Sequence, residues 1–458
     1  EIAGGTLDAA VVAVDSTVAG PGLQPPLAFA LGLDVHATLT QIAANDAGPL
    51  ALLTVHSATL SDSVWRGGPG FLLVRDSRRA SIDGSVAIGV RGDVVSLLGA
   101  TPAVERRLIV THSAVVDPVP GVGDDIGRCV HVRNGLDLEL VGVQFTGCIG
   151  AAVEVVGGSG DASPWSRGNA LLDRVWIHRV VQGAAFWDAP GAGVLVSEGG
   201  WVHMTRSLVS DAAGPSVAVM GAAQAFGRSR LVLDRVVTSR GTSGPLGLDA
   251  MSGRGLVVAG DAEAIVLESR ITSAVGVGAT VLAGHVLSAP PQLHVRDASI
   301  DGTSRLADGT AGVGVHIHGS TVVLERLRVS GNATAGVLAT EPLTDLTLDN
   351  LDVGETDTGT AVTASGPDVG PGGHGLYVRA GANVHGGPVY LHHNASAGLL
   401  LKDATAELTG FSAFNRIGMA TATGSKSTEL PSLTLLNNDV DRDADVKPPP
   451  LPPTLLPF

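Results

Sequence analysis

Between Gly314 and Thr356 the chain states one pattern twice. A glycine opens a short apolar strand, a polar break follows, and an LxLxxLxV phrase closes the unit. Val322-Val323-Leu324-Glu325-Arg326-Leu327-Arg328-Val329 is matched by Leu346-Thr347-Leu348-Asp349-Asn350-Leu351-Asp352-Val353. Variants of the phrase start at Leu108, Leu138, Leu171, Leu231, Ile265, Leu293 and Leu433, and the glycine-led strand recurs at Gly193, Gly255, Gly336, Gly375 and Gly398. Within each half of the phrase, apolar residues alternate as they do in a β-strand. The alternation slips by one residue at the two-residue break, so a bend there returns both halves to one interior. A single unit of this kind cannot bury its apolar face alone, whereas parallel stacking of successive units makes a continuous core. Glycine or strand-like alternation interrupts every candidate helix. The pattern therefore predicts an all-β solenoid.

Composition fits a narrow core. Hydrophobic residues make up 44% of the 458, yet aromatics only 3%, so small aliphatic side chains must fill the interior. The 62 glycines and 25 prolines are spread along the whole chain and supply turns rather than one linker. A phrase spacing of roughly 25–30 residues predicts about 15 coils, and at about 4.8 Å per coil a rod roughly 70 Å long.

The G-[VL]-x-[VIL] strand and the LxLxxLxV phrase resemble those of right-handed parallel β-helix proteins, the pectin-lyase-like architecture shared by pectate lyases and many bacterial surface proteins. The resemblance is close from Gly127 to Val440 and looser from Leu7 to Ile126. It implies less regular N-terminal coils and a cap over residues 1–126, a regular β-helix over 127–446, and an extended proline-rich tail over 447–458. It specifies fold strongly and function weakly.

Several relatives of that architecture cut acidic polysaccharides, so their motifs are the first to compare. Gly373-His374-Gly375 is similar to the GHG tripeptide of polygalacturonases, and Asp124-Asp125 to their aspartate pair. Here the two lie about nine coils, or roughly 40 Å, apart. Two groups acting on one glycosidic bond must lie within about 10 Å. His374 is accordingly expected in a loop before a strand. Asp173 to Val180 resembles a pectate-lyase segment, but its aspartate is missing and His178 directly follows Ile177. Cleavage of pectate, polygalacturonate or alginate is not expected.

Other polar clusters read as surface. Alternation points His316 and His318 outward from one strand, and they and His392-His393 are expected to be solvated. Asp439, Asp441 and Asp443 fall at alternate positions, a spacing that can wrap Ca²⁺, but the glycine and distal glutamate of an EF-hand loop are missing. A solvated acidic end to the last coil is the first reading and calcium the alternative; no other cofactor is expected. Asn332 and Asn394 match the glycosylation tripeptide, yet sit where a sharp turn suits asparagine. Cys129 and Cys148 are 19 residues apart, close to one compact coil, and are expected on adjacent coils as a disulfide.

Residues 448–453 hold five prolines, which cannot continue a coil. Leu451, Leu455, Leu456 and Phe458 would be poor solvent-exposed groups, so the tail is expected to pack as a cap or to join subunits. The net charge of −15 and pI near 5.3 disfavour nonspecific nucleic-acid binding. No apolar run approaches a membrane-spanning length. Lys402, Lys426 and Lys447 are the only lysines, a bias associated with GC-rich bacterial genomes. The expected role is a structural or adhesive β-helix outside the cell or on a bacterial envelope, self-associating or touching surface polysaccharide. The alternative is a carbohydrate-active enzyme (polysaccharide lyase or glycoside hydrolase) or a carbohydrate-binding module with a lateral groove.

Overall fold

The break in the phrase is a left-handed backbone turn. Arg235, Glu268, Asp297, Arg326 and Asn350 occupy it with φ between 46° and 57°. Each turn swings the chain from one sheet into the next, while Thr321–Ser330 passes through without losing its strand pairing. The first half of that strand pairs in parallel with Asp345–Asp349 and its second half with Leu351–Gly354. Val322 lies against Leu346, Leu324 against Leu348 and Val329 against Val353, all fully buried. Apolar positions thus stack on apolar positions one coil away. Each buried aliphatic side chain contributes roughly 1.5–3 kcal/mol, spread evenly along the stack.

A computed structural model describes residues 2–9, 12–15, 28–46, 50–53, 56–75, 77–98, 106–120, 127–133, 137–157, 168–183, 191–221, 227–241, 253–283, 289–306, 311–357, 372–422 and 431–446. It is all β, and its ladders are those of a parallel β-helix. The chain forms two compact units, Glu1–Gly214 with Gln224–Leu231, and Pro215–Ala223 with Val232–Phe458. In the first unit, Leu50–Leu53, Leu72–Arg75, Val95–Leu98, Val130–Arg133, Ala151–Val156 and Ala192–Ser197 form the first of three sheets, in parallel register. In the second unit the corresponding sheet includes Val313–His318, Ala335–Thr340, His374–Arg379, Ala397–Lys402 and Ile417–Ala422. No helix among the described residues is long and apolar enough to cross a membrane.

The glycine that opens each first-sheet strand has a steric cause. A Cβ on Gly314 would lie 2.6 Å from the carbonyl oxygen of Gly336, and the same approach links Gly278 to Gly314, Gly336 to Gly375, and Gly375 to Gly398. Only hydrogen fits between stacked coils at this corner.

Polar ladders satisfy the backbone where the chain turns. In the first unit the amides of Ile42, Ser63 and Ser85 donate to the hydroxyls of Ser63, Ser85 and Ser113, each one coil on. In the second unit Asn394 N and Nδ2 both donate to Asn415 Oδ1, and Asn415 N to Asn438 Oδ1. Buried donors at corners are thereby paired. Asn332 and Asn394 are buried turn residues.

Three expectations need correction. The phrases assigned to Leu171 and Ile265 begin one residue earlier, because Ala170 pairs with Leu138 and Ala264 with Leu293. Leu171 consequently faces outward, 42% exposed. The phrase assigned to Leu433 is not a phrase. Thr434–Leu436 pairs with Phe411–Ala413 in the third sheet, so Asn437 is the corner that follows. Finally, the outer face of the first sheet is buried, not solvated. His316 does point away from Val315 and Ile317, yet it is only 4% exposed, and Leu338, Tyr377 and Leu400 on the same outward positions are covered as well. His318 is partly exposed.

Candidate functional site

In the first unit, the left-handed corner between the second and third sheets carries His112, Gly142, Arg174 and Arg206 on successive coils. Glycine adopts this conformation freely, whereas histidine and arginine are strained there. Three long polar side chains are thus held in a column at about one-coil spacing, each leaving the surface from a fixed backbone. Beside them, the first outward position of the third sheet runs Val86, Ala114, Gln144, Trp176 in register. Small residues below and an indole above leave an open groove of about 600 Å³, lined by His112, Gly142, Gln144, Arg174, Trp176 and Arg206. Trp176 is 60% exposed, unusual for the largest apolar side chain in a narrow-core fold.

Asp173 organises the cations. Its carboxylate accepts from Arg174 Nε at 3.1 Å, Arg206 Nε at 2.8 Å and Thr205 Oγ1 at 2.8 Å. Two guanidiniums share one carboxylate, and both remain more than half exposed. Desolvation raises the Asp173 pKa, but hydrogen bonds from Arg206 and Thr205 and the charges of both arginines outweigh it and hold the carboxyl below its usual range. Asp83, in register with Thr111 one coil away, accepts from Thr111 Oγ1 at 2.5 Å and contacts His112 Nδ1 at 3.1 Å. Those two hydrogen bonds, Thr111 first, also lower its pKa. Both carboxyls stay ionised at neutral pH and are poor proton donors. The arrangement offers a flat apolar ring, two partly free guanidiniums and an amide: a surface for an anionic ligand with an apolar face.

A second polar cluster lies on the first sheet of the same unit. Asp93, Arg128, His131 and Glu154 have side chains only 8–10% exposed. Arg128 lies 3.1 Å from Asp93 and also contacts Glu154, while His131 stands 3.3 Å from Asp93 and 3.6 Å from Glu154. Burial raises the Asp93 pKa, and the hydrogen bond from His131 with the charge of Arg128 more than reverses it. Arg128 bridges both carboxylates and the contacts join successive coils, as a structural ion network does.

The residues singled out by sequence fall elsewhere. Asp124 and Asp125 lie outside the described residues. His374 is not in a loop: it is the first residue of its strand, fully buried, its Nδ1 accepting from Ala397 N at 3.4 Å. His178 is 2.9 Å from Asp211 and 3.0 Å from Ser210 on the outward face of the third sheet. Cys129 and Cys148 are joined by a disulfide with Cα atoms 5.6 Å apart, so the bridge spans one coil. Asp439, just before the last strand, and Asp441 and Asp443 within it are exposed, and no three metal-binding side chains converge among the described residues. Leu451, Leu455, Leu456 and Phe458 lie outside the described residues. Sequence reading missed His112, Gln144, Trp176 and Arg206. Aligning the phrase breaks coil by coil would have placed all four on one corner or one sheet position.

No family model matches the sequence, and no curated protein matches it. Among solved structures, the fold is similar to the periplasmic alginate epimerase AlgG at 12% identity, covering 88% of this chain and 76% of that one, with a TM-score of 0.36. It is similar to the Dettilon tailspike protein at 9% identity, covering 88% and 62%, TM-score 0.33. The A-module of Azotobacter vinelandii mannuronan C-5 epimerase AlgE6 matches at 11% identity over 91% of both chains, TM-score 0.31.

Proposed function

We propose that the protein is a β-helix that binds an anionic polysaccharide, one bearing uronate carboxylates, in the groove beside Trp176. The observation that carries this reading is an exposed indole next to two arginines that share a single carboxylate. A pyranose ring presents an apolar face to an indole, and a uronate presents a planar carboxylate to a guanidinium fork. Coils about 4.8 Å apart give such a polymer repeated contacts along the corner column. This reading puts carbohydrate recognition ahead of the purely structural or adhesive role expected from sequence. Glycoside hydrolysis is not proposed here, because the carboxyls of Asp83 and Asp173 beside the groove are held ionised and neither supplies the acid it needs.

Affinity electrophoresis through gels containing alginate, polygalacturonate or dextran tests it. The wild-type protein is expected to be retarded by the two acidic polymers and not by dextran, with retardation falling as salt rises. Arg206→Ala and Trp176→Ala should each weaken binding by about tenfold, the scale of one charge-assisted hydrogen bond or one aromatic contact. Equal retardation by dextran, or indifference to both substitutions, would overturn the proposal.

A further inference from the structure

His392 ends the strand Asn383–His392, and His393 follows in a left-handed turn with φ of 52°. Their Nδ1 atoms are 3.0 Å apart and their rings stand at 85° to each other. On its other side, His392 Nε2 lies 2.8 Å from Asp352 Oδ1. An ionised carboxylate only accepts, so Nε2 carries the proton and His392 Nδ1 presents a lone pair toward His393. His393 is fixed in turn by stacking on Phe414, 5.1 Å away and 12° from parallel. Space for the His392 ring comes from Gly354 in the adjoining coil, where any Cβ would lie 2.3 Å from it.

Two imidazole nitrogens bound to one metal at about 2.0–2.1 Å, with bond angles of about 90–110°, are separated by roughly 2.9–3.4 Å. The observed separation falls in that window before any metal arrives. We propose that His392 and His393 chelate a divalent transition metal through their Nδ1 atoms, with Asp352 as the carboxylate that orients His392. Histidine ligands commonly donate their other ring N–H to such a carboxylate. No three candidate ligands converge among the described residues, so this is a two-ligand site at a partly exposed surface, with water filling the remaining positions. Paired imidazoles favour Cu²⁺ over Ni²⁺ and Zn²⁺, and a site without clustered oxygen ligands excludes Ca²⁺.

Titrating the full chain with CuCl₂ in a non-chelating buffer, by calorimetry with parallel electron paramagnetic resonance, tests the site. Wild-type protein is expected to bind one more equivalent than His393→Ala, with two nitrogens coupled to that copper. Asp352→Asn should keep the stoichiometry and weaken affinity by roughly 10–100-fold, a loss that a surface carboxylate with no orienting role would not produce. Circular dichroism checks that both variants are folded. Superimposable isotherms for wild type and His393→Ala would show that the two rings merely hydrogen-bond to each other and would overturn the proposal. So would undiminished affinity in Asp352→Asn.

Discussion

Replacing Gly314 by alanine separates two accounts of why glycine opens each first-sheet strand. Gly314 is not in the left-handed region, so its backbone conformation suits any residue. If conformation were the whole story, alanine would stabilise the fold by about 0.4–1 kcal/mol through the unfolded chain. The packing says otherwise. The new Cβ would lie 2.5 Å from Val329 Cγ1, 2.6 Å from the Gly336 carbonyl oxygen and 3.0 Å from Asn332 Nδ2. Ordinary contact begins near 3.4 Å, so the carbonyl must retreat by about 0.8 Å, and it belongs to the backbone of the next coil. Val329 and Asn332 are both fully buried and have nowhere to swing. Overpacking on this scale costs about 1–3 kcal/mol, which leaves a net loss of about 1.3 kcal/mol at the centre of the two ranges after the entropic gain. Thermal melting followed by far-ultraviolet circular dichroism should show Tm lowered by a few degrees for a unit of this size. In a Val329→Ala background the penalty should shrink, because one of the three clashing atoms is gone. A Tm unchanged or raised by Gly314→Ala would refute the reasoning.

Four further outcomes follow from the structure. Arg128→Met should destabilise the first unit by about 3–5 kcal/mol in urea unfolding, since it leaves Asp93 and Glu154 buried near each other without their shared cation. The depressed Asp93 pKa means its contribution is present above the unfolded value of 3.8 and is lost as pH falls through the lower folded value, which acid titration of Tm should show. His316 is held neutral by burial first, and then by the charges of Arg254 and His318, which push its pKa down to about 3. Between the unfolded value of 6.5 and about 3 the unfolded chain binds the extra proton, so stability should fall as pH drops through that window. His316→Gln should flatten the Tm profile there. Removing the Cys129–Cys148 bridge by double serine substitution should cost about 3 kcal/mol, the scale for a loop of this length, read as a lower urea midpoint under non-reducing conditions.

Fold and site were unequally legible in the sequence, for physical reasons. The LxLxxLxV phrase encodes two strands and the bend between them, because burial on one face forces period-two alternation and the bend forces its slip. Arg326 and Asn350 stand at that slip, and both adopt the left-handed turn it requires. The glycine column was equally visible, although its cause, carbonyls of neighbouring coils at van der Waals distance, exists only once coils are stacked. His316 shows where local reasoning stops. Alternation correctly sends it outward, but whether an outward face meets water depends on what lies over that sheet. The groove was hidden for a different reason. His112, Arg174 and Arg206 are separated by whole coils of unequal length, and only a register makes them neighbours. Where the phrase was misplaced by one residue, at Leu171, an exposed leucine was read as core and Trp176 lost its alignment with Gln144.

The central claim is that an anionic polysaccharide lies against Trp176, and intrinsic fluorescence reads that contact directly. Alginate oligosaccharides are titrated at low salt into wild type, Trp176→Phe and Arg206→Ala, with binding followed in parallel by calorimetry. The account predicts a saturable tryptophan signal in the wild type, its disappearance in Trp176→Phe, and a midpoint at higher ligand concentration in Arg206→Ala. Calorimetric binding that leaves the Trp176 signal untouched would place the polymer elsewhere on the molecule and contradict the account, as would no binding at all.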